Sequence, residues 1–375
     1  MFRSAKPAHL RVFAVLLVLS LTAGLATTAW GGSDKPAAKQ AASKKKVKIA
    51  MELILTGVQF GVDTKNGINA FVKDDGAVSA QVNGPVTVDP GTAQKQTTDM
   101  IAKGPNAVGV APFPPEAWQR TLKDINKKYP KTSLTFNAKP SGKVGDISKQ
   151  PFKTFVGIND AASARAVLTK TIELAKLKSS ATGEVLLGQC VPGNTGVLAD
   201  RIRGFKQVLA KLLPKATPVV FDSKVDPQGN TTAWTTELVA HPKPILAIGT
   251  CDQDGTSLYK VKKANSSYKF PVGAVETPPE TVLGIQDGTI LASSSVNWYL
   301  EGYTAARLLA ESARGKAIPA GFIDIGYTMI TKKNIAEIKK RNSSLANTRA
   351  WYAPKVKEQF ANMKKYTHSL SSAWK

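Results

Sequence analysis

The sequence predicts an α/β protein made of two similar units, each a parallel sheet covered by helices on both faces. Three observations carry this. Short apolar runs alternate with segments of helical apolar spacing, the pattern of a buried parallel sheet. The alternation runs through once and then repeats, so the 375 residues divide into two units, each of roughly 110 to 140 residues. The stretch Gly188 to Phe205, GQCVPGNTGVLADRIRGF, is a loop between a strand and a helix. In open α/β sheets that edge, beyond the carboxyl ends of strands, is where ligands bind.

The elements follow in order. Residues 1–29 have the form of a secretion signal: Arg3, Lys6 and Arg11, then the apolar run Val12 to Leu21, then small residues from Ala23 to Ala29. A retained anchor helix is the competing reading, against which stand the shortness of the run and Gly24. Trp30 stands where a lipidated cysteine would be, so thioether lipidation there is chemically impossible. Residues 30–46 lack a periodic apolar face and read as a flexible tether. The fold begins with a strand at Val47, followed by a helix over 62–73 with Ile68, Phe71 and Val72 inward. A strand at Val86–Val88, a helix from Ala93 to Lys103 and a strand at Ala107–Ala111 come next. After Pro112-Phe-Pro-Pro, a helix carries Trp118, Leu122 and Ile125, and a strand at Ser133–Phe136 ends in Asn137.

The second unit has strands at Phe155–Ile158, Val185–Leu187, Pro218–Phe221, Ile245–Ile248 and Phe270–Ala274. Helices fall at Ala161–Leu177, Arg201–Leu213, Thr232–Val239 and Ser257–Ala264. In the Arg201 helix Ile202, Phe205, Val208, Leu209 and Leu212 recur at helical steps, and Arg201 stands at its start, near enough to point a guanidinium back at the loop. A run at Leu291–Ser295 leads into a helix ending near Ala313, and Phe322 to Ile330 reads as one last strand. Residues 332–375 are lysine-rich helix and tail.

Composition excludes several functions. The net charge of +24 comes roughly a third from the first 46 residues, and the rest is spread over many lysines. No reading helix, zinc spacing or aromatic stacking motif accompanies it, so nucleic acid is not an expected partner. Three histidines, His9, His241 and His368, leave little for histidine catalysis or a metal site. Neither a GxSxG elbow nor a glycine-rich dinucleotide loop occurs. No cofactor, metal or catalytic residue is expected; an exported α/β enzyme acting on a small polar substrate is the alternative reading.

Several phrases in order, TTDMIAKGPNAVGVAPFPPEAW, DRIRGF, LVAHPKPILAIGTCD, and VGAVETPPE followed by IQDGTILASSSVNWYLEGY, resemble the periplasmic sugar-binding proteins of ribose-binding type. These are the type I solute receptors of ABC importers, and the resemblance covers most of residues 47–331. It implies two Rossmann-like lobes joined by a three-crossover hinge, with crossings near Asn159, Val296 and Ile325. The amino-terminal lobe would be 47–158 plus 297–324, and the carboxy-terminal lobe and tail 159–296 plus 325–375. It further implies an exported, periplasmic or extracellular monomer without enzymatic activity. Such a protein captures a small solute (sugar, polyol or related) and passes it to an ABC transporter permease.

Carried over residue by residue, the resemblance implies a ligand set. Phe60 would stack on a sugar ring, unless it is core, with Gln59 beside it. Phe113 would line the cleft or pack the lobes together. Asn137 stands where an aspartate-arginine pair begins in many relatives; here the pair is Asn137-Ala138. Arg201 matches a ligand arginine whose fork suits adjacent hydroxyls, so that Arg201→Ala would abolish binding with little change in Tm. Asp252 would accept from hydroxyls or brace its loop. Glu276 stands one place beyond the usual aspartate, where this chain has Val275. Asn297 could bond a hydroxyl, and Trp298 could form a wall opposite Phe60 or pack the hinge. The same strand order makes the strands ending at 189 and 249 neighbours, which would bring Cys190 and Cys251 within disulfide reach.

Overall fold

The computed structural model describes residues 44–141, 152–191, 193 and 196–375; the expected signal peptide and the tether as far as residue 43 lie outside them. One lobe is a seven-stranded sheet of β1 (Val47–Glu52), β2 (Val78–Asn83), β3 (Ala107–Val110), β4 (Ser133–Phe136), β5 (Thr154–Gly157), β11 (Gly321–Asp324) and β13 (Thr367–His368). Its order is β13-β11-β5-β4-β3-β1-β2. Around it lie α1 (Gln59–Asp75), α2 (Pro90–Ala102), α3 (Gln119–Lys128) and α9 (Trp298–Ala313).

The other lobe holds β6 (Gly183–Gln189), β7 (Ala216–Asp222), β8 (Leu246–Gly249), β9 (Gly273–Val275), β10 (Ala292–Val296) and β12 (Tyr327–Thr331). Two three-stranded sheets, β7-β6-β8 and β9-β10-β12, are joined by a bridge between Ala247 and Val272. Helices α4 (Asp160–Ala175), α5 (Val197–Leu212), α6 (Pro227–Ala240), α7 (Asp252–Ala264) and α8 (Pro279–Asp287) cover it. Ladders between the described strands are parallel except β10–β12 and β11–β13.

The apolar runs within the central strands arise because both faces are buried. Ile49 and Met51 pack into one core cluster while Ala50 between them packs into another. Val185 and Leu187 likewise face away from Leu186. Helices start where the sequence supplies caps: the side chains of Asp89, Asn159 and Asp226 accept from Thr92, Ala162 and Gly229 backbone N–H groups. Helices α1 and α9 pack backbone to backbone. A Cβ at Gly67 would stand 2.0 Å from Tyr299 O, and one at Gly302 would stand 2.1 Å from Thr64 O.

Four expectations change. The second strand is Val78–Asn83, not Val86–Val88: it is a half-exposed edge strand with few apolar residues, whereas Val86 lies past a Gly84-Pro85 turn with its side chain exposed. Helix α5 begins at Val197, so Arg201 is one turn inside it. The run from Phe322 to Ile330 is two strands, β11 and β12, in different lobes, with the change at Ile325-Gly326, where Gly326 has φ 62°. The end of the chain does not stay with the second lobe. After β12 and α10 (Ile335–Asn342), α11 (Leu345–Ala361) brings Tyr352 into the first lobe's core, and β13 pairs with β11.

Candidate functional site

The strand ends of the two lobes face each other across a cavity of about 80 Å³. The first lobe supplies Val58 and Phe60 where β1 passes into α1, Val88, Phe113 beyond β3, and Asn137 beyond β4. From the second come Cys190 and Val191 beyond β6, Leu198 and Arg201 on α5, Val225 beyond β7, Asp252 opening α7 and Glu276 beyond β9. Trp298, first residue of α9, closes the hinge end. A disulfide joins Cys190 to Cys251, Cα atoms 6.3 Å apart, in the wall.

Arg201 is not a free fork. Its Nε donates to Asp160 Oδ1 at 3.2 Å and its Nη1 to Thr250 O at 2.7 Å, and Nη2 stands 3.9 Å from Glu276 Oε1. With the side chain buried and two of its donor directions used inside its own lobe, Arg201 orders the cavity floor. Arg201→Ala is therefore expected to lower Tm, where the sequence alone led to the expectation of little change.

Asn137 and Glu276 are built differently. Both sit at strand ends with positive φ, 57° and 68°, a region ordinary side chains adopt only when their surroundings hold them there. The Asn137 N–H donates to Glu301 Oε1 at 2.5 Å; its buried side-chain amide also lies against the Glu301 carboxyl and favours that group's charged form, but neither Oδ1 nor Nδ2 completes a well-formed hydrogen bond. Glu276 Oε2 accepts from Val296 N at 3.2 Å; the Trp298 indole lies near enough to the carboxyl to favour its charged form, but Oε1 completes no well-formed hydrogen bond. Burial pushes the Glu276 carboxyl up to about 8, against the opposing pull of Arg201, and Asp252 up to about 6. Burial also raises Glu301 well above the usual carboxylate range.

Other expected residues take different places. Phe60 and Trp298 do not stand opposite each other: their ring centroids are 5.3 Å apart at 41°, so they form one wall together. Gln59 donates to Asp63 Oδ1 at 2.9 Å and lines a separate cavity of about 470 Å³ with Thr277, Tyr299 and Arg341. Asn297 spends its amide on the hinge, donating to Ile325 O at 2.9 Å and accepting from Thr328 Oγ1 at 3.1 Å and Tyr352 OH at 3.3 Å. Asp254, not Asp252, braces the loop after β8; its carboxylate accepts from Cys251 N, Asn230 Nδ2 and Trp234 Nε1.

A model of the periplasmic binding protein domain matches residues 49–317. The chain belongs to the periplasmic binding protein family. No curated protein matches it, but solved structures do. A solute-binding protein from Burkholderia graminis, in complex with D-arabinose, shares 21% identity over 78% of this chain and 97% of its own, with TM-score 0.67. One from Agrobacterium vitis, bound with α-D-tagatopyranose, shares 20% over 77% and 96%, with TM-score 0.69. One from Mycobacterium smegmatis, with bound glycerol, shares 21% over 78% and 96%, with TM-score 0.66. At these identities the likeness is one of fold: two α/β lobes about a cleft.

For this periplasmic binding protein, sequence reasoning missed Lys139. It is fully buried, and its Nζ bonds Asp200 at 2.5 Å and Asp160 at 3.3 Å. Lys139 follows β4 in the first lobe and both partners lie on helices of the second, so the ion pairs cross the cleft. The available signal was a lysine three places beyond a cleft-edge strand and just before Pro140. Also missed was the run of aliphatic residues from both lobes in the cavity wall, each of which reads as ordinary core on its own. Among the described residues no cluster suited to a metal ion occurs, and no helix is long and apolar enough to cross a membrane.

Proposed function

We propose that this protein captures a small sugar-like solute in the cleft between its lobes and delivers it to the permease of an ABC importer. The observation that carries this is the cavity at the strand ends, walled by both lobes and lined by buried side-chain atoms of Asn137 and Glu276 that complete no well-formed hydrogen bond. A group buried without its hydrogen bonds costs free energy, and a ligand that supplies them recovers it. Family membership and neighbours solved with D-arabinose, α-D-tagatopyranose and glycerol favour the same reading.

Closure occurs about crossings at 158–159, 296–297 and 325–326; the strands that precede and follow each crossing belong to different sheets, and Asn297 ties the second crossing to the third. Asn137, Asp252, Glu276, Phe60, Phe113 and Trp298 contact the solute, and Arg201 supports them. The protein acts outside the cytoplasm as a monomer and does no chemistry of its own. Native mass spectrometry of the purified protein, with a thermal-shift panel of sugars, polyols, amino acids and nucleosides, tests this. A carried-over small molecule, or one class that raises Tm as RT ln(1 + [L]/Kd) predicts, is the expected result. Silence in both measurements, or turnover of a bound compound, would overturn it.

A further inference from the structure

The cavity has two ends. At the hinge end stand Asn137, Glu276 and Trp298, with the unbonded amide of Asn137 and the unbonded Oε1 of Glu276. At the other end Phe113, Cys190, Val197 and Leu198 form one buried apolar cluster, against which Val88 and Val225 pack. That cluster draws on both lobes, so closure brings hydrocarbon against hydrocarbon around whatever the cleft holds. Of the described residues that line it, only Asn137, Arg201, Asp252, Glu276 and the Trp298 indole carry side-chain hydrogen-bonding groups, and two donor directions of Arg201 are used within its own lobe.

An ordinary pyranose does not match this supply. It carries about five hydroxyls around its ring, each a donor and an acceptor, so those directed away from the hinge would meet valine, leucine and the disulfide. A hydroxyl buried there loses water and gains nothing.

We propose that the site selects a deoxygenated sugar-like ring. Its few remaining hydroxyls are held between Asn137 and Glu276, and its hydrocarbon edge lies in the cluster around Phe113, Val197, Leu198 and Val225. This deepens the solute-receptor reading and rests on it. Both Asn137 and Glu276 hold a positive φ at a strand end, and both have buried side-chain atoms that complete no well-formed hydrogen bond, so both positions join an unusual backbone to spare bonding capacity.

Isothermal titration calorimetry of the full chain with galactose, 6-deoxygalactose and 2,6-dideoxygalactose tests it. Affinity is expected to rise about tenfold for each hydroxyl removed. Val225→Thr, which puts a hydroxyl at the apolar end with little change of shape, is expected to narrow that preference several-fold while Tm holds. Galactose binding as tightly as its deoxy forms, or a preference unmoved by Val225→Thr, would overturn the proposal and leave the receptor reading standing. No binding anywhere in the series overturns this proposal, and the receptor reading falls as well only if the broader solute panel is silent too.

Discussion

Two sets of buried polar side chains face the same cleft, and they differ in whether their bonds are complete. Lys139, Arg201, Asp160 and Asp200 satisfy one another: Lys139 bonds both aspartates, Arg201 bonds Asp160 and the Thr250 carbonyl, and half-exposed Arg203 adds a second partner for Asp200. Asn137 and Glu276 keep unbonded atoms, as does Glu52 at the end of β1, where both carboxylate oxygens are buried without a partner. A completed set specifies how the parts of a fold sit together; an incomplete one has capacity left for a ligand or a proton. Charge in a cleft is therefore a poor guide to recognition until its existing partners are counted.

Removing a member of the completed set should cost the most. Arg201→Ala would leave Asp160 short of a partner and the Thr250 carbonyl without its donor, and breaking a buried pair from one side costs roughly 3–5 kcal/mol. Denaturant titration should show that loss; a variant as stable as the parent would mean that Arg201 is the free ligand group its position in the sequence suggests. Lys139→Met should cost less, about 1–3 kcal/mol, because Asp160 and Asp200 keep Arg201 and Arg203. It should also open the lobes, since its ion pairs join them, and small-angle scattering should record a larger radius of gyration. An unchanged radius would show that the Lys139 pairs do not hold the cleft closed.

The incomplete set should reveal itself through pH. Burial raises Glu52 to about 9 and Glu276 to about 8. Each folded-state value lies above the unfolded one, so the folded protein holds more protons between them. The stability these acids confer is complete below pH about 4.5 and is lost as pH rises toward 8 to 9, by up to about 1.4 kcal/mol per pH unit for each group within its window. Tm should fall between pH 5 and pH 9, and Glu52→Gln should flatten the fall. A flat profile in the parent would mean that Glu52 has bonding partners in solution.

How legible this was depended on what each feature obeys. The strand at Ala107 and the Val185 run were plain, because burial on both faces leaves an unbroken apolar signature. The edge strand Val78–Asn83 was not, because half-exposed positions tolerate Ser, Gln and Asn. The cavity residues Phe113, Asn137 and Glu276 could be placed from the ends of strands. The commitments of Arg201 and Asn297 could not, because their partners lie 41 and 28 residues away along the chain. Lys139 was hidden for the same reason: a lysine is ordinarily solvated, and only the approach of two helices from the other lobe makes this one a buried ion.

The smallest effect on stability, and the sharpest test of the contrast, belongs to Asn137. Its side-chain amide completes no well-formed hydrogen bond and its φ is 57°, so Asn137→Gly removes a poorly satisfied group and relaxes a backbone position that glycine adopts freely. Unfolding free energy should change by less than about 1 kcal/mol, in either direction, whereas affinity for the bound solute should fall at least about tenfold, the worth of one or two lost hydrogen bonds. Arg201→Ala should show the reverse emphasis, with stability lost first. If Asn137→Gly instead destabilised the empty protein by several kcal/mol, its amide would have to be bonded within the fold, and the two sets would not differ in kind.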